Sequence, residues 1–138
     1  MADPRRDREP ERSEDPRPIF VVQRHLGRSP HYDFRLERDG VLKSWAVPKR
    51  PPTGVGTSRL ALAVADHPLD FADFQGTIPQ GQPGAGTIEI WDRGDYKVLE
   101  WTPDKVVVSV RGNRLLGSFA LTRFPRHSER SWLLKRVS

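Results

Sequence analysis

From Ile19 onward this chain is a succession of short β-type runs cut by turn residues, and that rhythm limits it to few folds. Apolar and β-branched residues recur over Ile19–Gln23, Tyr32–Glu37, Val41–Val47, Leu60–Asp66, Thr87–Asp92, Tyr96–Trp101, Lys105–Arg111, Leu115–Arg123 and Trp132–Val137. A period of two sends successive side chains to opposite faces of a strand. Asp39-Gly40, Arg93-Gly94-Asp95 and Gly112-Asn113 supply hairpin chemistry between runs. No stretch sustains a capped 3.6-residue period, and the 13 prolines are spread along the chain. These features predict a mainly β, single-domain antiparallel fold with little helix, either a barrel or a sandwich. A barrel is preferred, because few of the runs carry the charges or prolines that protect an exposed sheet edge.

The 138 residues suit one domain with an appendage. Residues 1–17 are charged and Pro-rich, which predicts a disordered tail before a folded domain over 18–138. Lys and Arg outnumber Asp and Glu by 23 to 18, and a basic body suits a polyanionic partner. With no cysteine, a disulfide, a thiolate metal site and a Cys nucleophile are all excluded, so a metal must rest on His and carboxylates. No apolar run approaches the ~18 residues of a membrane helix, and no signal-peptide core opens the chain. The expectation is a soluble protein of the cytoplasm.

The chemistry concentrates in His25-Leu26-Gly27-Arg28-Ser29-Pro30-His31-Tyr32-Asp33-Phe34-Arg35. On a strand, His31, Asp33 and Arg35 share one face, and Tyr32, Phe34 and Leu36 share the other. The second set is ordinary core. In the first set, His31 and Asp33 can ligate one divalent ion, and His25 can return as a third ligand across the loop holding Gly27 and Pro30. Two imidazoles and one carboxylate leave positions open for water and substrate oxygens. Arg35 beside them offers a fork to a phosphate oxygen.

The same parity puts Arg59, Ala61, Ala63, Ala65 and His67 on one face, opposite Leu60, Leu62 and Val64. This set fits a shallow phosphate-binding floor and fits a packed sheet face equally well. Lys49 closes a strand in Val47-Pro48-Lys49 and points to substrate or to solvent. Gly76 to Gly86 lacks the ending of a phosphate-cradling Walker loop and reads as a mobile loop beside the site.

Together these residues resemble the 3'-phosphoesterase domain family of bacterial DNA ligase D, here read as a stand-alone domain. The resemblance runs through Phe20-Val21-Val22-Gln23, His25, His31-Tyr32-Asp33-Phe34-Arg35-Leu36-Glu37, Leu42 to Lys49, Asp66-His67-Pro68-Leu69-Asp70, Gly84 to Thr87 and Trp91-Asp92. It closes with Leu116-Gly117-Ser118-Phe119 and Trp132-Leu133-Leu134-Lys135. It implies a β-barrel with a crater-like active site that requires Mn2+, with Zn2+ or Co2+ as substitutes. It implies removal of a 3'-terminal ribonucleoside and then of the 3'-phosphate, leaving an end that can be ligated, in DNA repair by non-homologous end joining. His25, His31 and Asp33 match the metal ligands; Arg35, Arg59 and Lys49 match phosphate-contacting or supporting residues; His67 matches a phosphate-contacting histidine.

The implied partners are DNA or RNA-tipped DNA 3' ends, together with a separate DNA ligase, polymerase or Ku-like end-binding protein. The implied place is the prokaryotic cytoplasm, at the nucleoid. Departures from the family pattern fall at Ala65 in place of Glu, Phe71 in place of Tyr, and Gln80 and Pro83 in place of Lys and Tyr. They put the phosphomonoesterase step in question. Two readings of other classes compete: a non-catalytic module that binds nucleic-acid 3' ends, and an iron facial triad of His31, Asp33 and His67 in an oxygenase. For the second, the chain is short and rich in Arg.

Overall fold

The computed structural model describes residues 17–138, so the predicted tail lies outside the described residues except for Arg17. Nine strands follow one another: β1 (Ile19–Leu26), β2 (His31–Arg38), β3 (Val41–Val47), β4 (Ser58–Pro68), β5 (Gly76–Ile78), β6 (Gly86–Thr102), β7 (Lys105–Arg111), β8 (Leu116–Arg123) and β9 (Ser131–Arg136). A single 3-10 turn, Leu69–Asp73, separates β4 from β5. The sheet order is β1-β2-β3-β4-β9-β8-β7-β6-β5, and β1 pairs again with β6. That second pairing closes eight antiparallel strands into the expected barrel and leaves β5 as a short flap on β6.

Period-two alternation fills the barrel. Phe20, Val22, Phe34, Leu36, Trp45, Val47, Tyr96, Val106, Val108, Val110, Phe119 and Leu134 belong to one buried cluster. The intervening residues of β1 to β3 face outward. There Val21 and Leu42 pack with Ala72 of the 3-10 turn in a second, smaller cluster. The turn therefore roofs part of the outer wall and creates a protected space over β1 to β4.

The β2–β3 hairpin turns at Asp39-Gly40 as expected, with φ of 55° and 80° at the two residues. The turn expected at Arg93-Gly94-Asp95 is absent, and the two runs on either side of it form one 17-residue strand, β6. At this point β6 passes from one neighbour to the other: Ile19 opposes Asp95 on one side, and Arg111 opposes it on the other. A Cβ on Gly94 would stand 1.8 Å from the Arg111 carbonyl oxygen. This glycine therefore serves close strand approach; it does not reverse the chain. Asp92 just before it is buried, and its carboxylate accepts the N–H groups of Arg93, Asn113, Arg114 and Leu115, fixing the β7–β8 turn.

Pattern alone stops short of the full strands: β1 runs on past Gln23 to Leu26, and β2 spans His31–Arg38. β4 extends over 11 residues, and the Gly-rich segment contributes the flap β5.

Candidate metal centre and active site

The outer face of β1 and β2 carries the polar set. His25 and His31 are direct cross-strand partners, as are Gln23 and Asp33. The four-residue connection between the strands brings the imidazole rings to a centroid separation of 4.8 Å. Ligand atoms of His25, His31 and Asp33 all lie within 4.8 Å of one another. Backbone carbonyls orient both rings: His31 Nδ1–H donates to Ser29 O at 2.8 Å, and His25 Nε2–H donates to Ala85 O at 3.0 Å. The His25 ring thus keeps its other nitrogen for an ion, and the other nitrogen of His31 is turned toward Asp33, where an ion would take the place of a shared proton. Gly27 permits this approach, because a Cβ there would stand 2.8 Å from the Ala85 oxygen. The donor set fits a divalent cation of intermediate hardness, with two imidazoles and one carboxylate.

A buried network stands behind the carboxylate. His31 Nε2 lies 3.2 Å from Asp33 Oδ1, and Arg35 Nη2 lies 3.2 Å from Oδ2. Arg35 is 3% exposed. Its Nε donates to Gln23 Oε1 at 2.7 Å, and its Nη1 donates to Ser44 Oγ at 2.8 Å. Gln23 in turn donates to the carbonyls of Phe71 and Phe74, tying the 3-10 turn to the barrel wall. The open fork expected for Arg35 is therefore not found: most of its donors are engaged inside the protein, where they hold Asp33 and the wall together.

Burial raises the Asp33 pKa, but the His31 hydrogen bond and the Arg35 charge outweigh it and leave the group below the ordinary carboxylate value. The hydrogen bond to Asp33 raises the His31 imidazole above its usual value, against the cost of burial.

His67 reaches the same cavity by a route that simple alternation misses. Ala61 and Ala63 face the barrel interior, where they oppose Trp132 and Trp45 and leave room for the two indoles. Leu60, Leu62 and Val64 therefore take the outer face, and strict parity would send His67 inward with the alanines. Between Leu42 and Ser44 the β3–β4 register shifts, so that Leu42 opposes His67 while Ser44 opposes Val64. This bulge turns His67 outward. Its Nδ1 lies 3.1 Å from both Arg35 Nη1 and the Ala65 oxygen. Nδ1 accepts from Arg35 in one tautomer of the ring and donates to the Ala65 carbonyl in the other. Burial, and then the Arg35 charge, lower the His67 pKa from its ordinary value.

His25, His31, Asp33, Arg35 and His67 thus line one cavity of about 410 Å3, together with Phe71, Val64, Pro83 and Gly84. The Phe71 ring lies 5.0 Å from His67 and beneath the Arg35 guanidinium at 5.1 Å. Gln80 borders the adjoining space around Arg28 and Ser29. Ala65 is exposed. Lys49 and Arg59 do not line this cavity. They border a separate one of about 250 Å3 with Pro48, Ser58 and Leu60, and Arg59 donates to the Arg50 and Ser58 carbonyls. Pattern reading missed Gln23 and Ser44. Their signal was a polar residue on the His25 face inside an apolar run, and a hydroxyl directly opposite Arg35.

A family profile described as the DNA ligase D 3'-phosphoesterase domain matches residues 23–123. The chain belongs to the DNA ligase D 3'-phosphoesterase domain family. Among its relatives is the multifunctional non-homologous end joining protein LigD of Mycobacterium bovis, 48% identical over 122 residues. The match covers 86% of this chain and 16% of that relative. The Pseudomonas aeruginosa LigD is 57% identical over 84 residues, covering 61% of this chain and 9% of the relative. The Mycolicibacterium smegmatis LigD is 40% identical over 129 residues, with 86% and 16% covered. The chain thus spans about a sixth or less of the curated relatives it matches. Among the described residues of this ligase D phosphoesterase domain, no helix is long and apolar enough to cross a membrane.

Proposed function

We propose that this protein is a Mn2+-dependent phosphoesterase that removes a 3'-terminal ribonucleoside from broken nucleic acid and then, less efficiently, the remaining 3'-phosphate. The observation that carries the reading is the His25, His31 and Asp33 cluster at the head of a cavity that also holds His67, in a chain of this family.

His25, His31 and Asp33 would hold the ion, whose bound form draws negative charge from a phosphate oxygen. Arg35 keeps Asp33 ionised and aimed, and is best described as a positioning residue. His67 donates to a phosphate oxygen or to the leaving oxygen. Phe71 shapes the cavity without adding a donor. Lys49 and Arg59 act from the neighbouring cavity, where they neutralise phosphate further along the strand. DNA 3' ends in end joining are the proposed substrates, and a ligase, polymerase or Ku-like end binder is the proposed company, in a prokaryotic cytoplasm.

The test is a 5'-labelled primer-template bearing one 3'-ribonucleotide, incubated with protein and Mn2+. Shortening to a 3'-phosphate, followed slowly by a 3'-OH, is expected. Unchanged substrate with measurable binding would favour the non-catalytic end-binding module, a reading that the engaged donors of Arg35 and the missing hydroxyl at residue 71 support.

A further inference from the structure

The two imidazoles of the candidate metal centre border two cavities. One is the space that holds Asp33 and His67. The other, of about 470 Å3, shares His25, His31 and Gly84 with the first and continues along Gly27, Arg28, Ser29 and Gln80. Its floor is made by two chain reversals pressed together, the β1–β2 connection and the segment before β6. A Cβ on Gly86 would stand 2.6 Å from the Leu26 oxygen, so the two backbones touch with no side chain between them. Bonds from the Gln82 N–H to the Pro79 oxygen and from the Ala85 N–H to the Gln82 oxygen hold the second reversal. Arg28, Ser29 and Gln80 are exposed on this floor, and Arg28 makes no ion pair among the described residues.

The placement of this cavity gives the site a direction. β1 ends at the same rim of the barrel at which β2 begins, β3 ends, and β4 and β6 begin. Along that rim the strands stand in the order β4-β3-β2-β1-β6. Lys49, just past β3, and Arg59, at the start of β4, therefore lie to one side of the His25 and His31 pair. Gln80 and the cavity it borders lie to the other, toward β6. The two sides differ in charge. Lys49 and Arg59 together border one cavity, whereas Arg28 is the single Lys or Arg among the residues around the other.

We propose that the cavity of Arg28, Ser29 and Gln80 seats the departing nucleoside, the terminal unit that cleavage releases from the 3' end. The inference rests on the phosphoesterase reading above and adds a polarity to it. The retained strand runs over the ends of β3 and β4, where two cations meet its phosphates, and the released unit lies toward β6. Hydrolysis consumes one water: its oxygen bonds to phosphorus, the bond from phosphorus to the nucleoside O5' breaks, and that oxygen departs with a proton. The released unit thus carries no phosphate, which suits the less cationic side. The planar guanidinium of Arg28 can lie on a base face, and the Ser29 hydroxyl and Gln80 amide can donate to and accept from sugar hydroxyls. The volume falls within the roughly 300–1,000 Å3 of small-ligand sites.

The experiment uses the full chain with Mn2+ and two 5'-labelled primer-templates that present the same diester charge. One ends in a 3'-ribonucleoside; in the other a methyl group on the 3'-phosphate replaces that nucleoside. The unmodified protein should prefer the nucleoside diester in kcat/KM by about tenfold, the scale of one or two hydrogen bonds. Arg28→Ala combined with Gln80→Ala should abolish the preference by slowing the nucleoside diester. Equal cleavage of the two diesters by the unmodified protein would overturn the proposal. So would a preference that survives the double substitution, or an equal loss on both diesters, which would assign Arg28 and Gln80 to the retained strand or to the fold. Failure of the unmodified protein to cleave either diester would overturn the phosphoesterase reading itself, and the proposal with it.

Discussion

The two halves of the barrel wall use charge in opposite ways. Over β1 to β4 the outer face buries its polar groups: Asp33, Arg35, Gln23 and Ser44 are nearly inaccessible and bonded to one another. Over β6 to β8 the ion pairs are exposed, Asp95 with Arg111, Glu100 with Lys105 and Asp104 with Arg123, and the buried carboxylate of Asp92 is met by backbone N–H groups alone. Exposed pairs contribute little, whereas a buried network is costly to break and fixes geometry. The contrast separates a wall built for a site from a wall built for solubility.

The sharpest way to break the contrast is Arg35→Met. It leaves the Asp33 carboxylate and the Gln23 oxygen buried without their donor, and should cost about 3–5 kcal/mol in urea unfolding. A loss under about 1 kcal/mol would show that the network does not hold the wall together. His31→Ala should keep the fold and removes one of the three proposed ligands. Mn2+ affinity measured by calorimetry should fall by more than the roughly 100-fold that loss of an outer-shell partner costs; unchanged affinity would reject the cluster as the metal centre. Phe71→Tyr restores a donor beside His67. It should speed removal of a 3'-phosphate by about 10- to 150-fold relative to removal of a 3'-ribonucleoside. Equal rates on the two substrates in the unmodified protein would refute this role for Phe71.

A pH titration sharpens the same comparison. His31 has a raised pKa, so its contribution to stability is present below the ordinary value of 6.5 and is lost as pH rises through the folded value. Asp33 has a lowered pKa, so its contribution is present above 3.8 and is lost as pH falls through the folded value. An ion must displace the His31 proton. Mn2+ affinity should therefore begin to weaken at a pH above 6.5, by about tenfold per unit. Weakening confined to lower pH would show that Asp33 does not hold the proton on His31. The smallest effect belongs to the other wall, where Asp104→Asn should change stability by less than about 1 kcal/mol.

The comparison also explains what could be read from the sequence. Alternation alone placed His31, Asp33 and Arg35 together, because β2 is regular from end to end. It failed on β4, where a single register shift separates the face of Ala61 from the face of His67. A bulge has no composition signal of its own. The family resemblance supplied His67, and the structure supplies the reason it can be there. Gly94 misled in the opposite direction: a glycine between two polar residues looks like a turn, and only the crowding of Arg111 against it shows otherwise. That most donors of Arg35 are used internally also had no local signal, since Gln23, Ser44 and His67 come from three other strands.

The three ligand-type side chains lie on one hairpin, between residues 25 and 33, whereas barrel closure needs β1 to find β6 some seventy residues later. Hairpins form in microseconds, and pairings distant in sequence come late. An ion could therefore be captured by a chain whose barrel is still open, before the Gly94 crossing is made and before β4 delivers His67. Metal uptake and acquisition of activity are then two clocks, and a refolding experiment that follows both should see the first run ahead of the second.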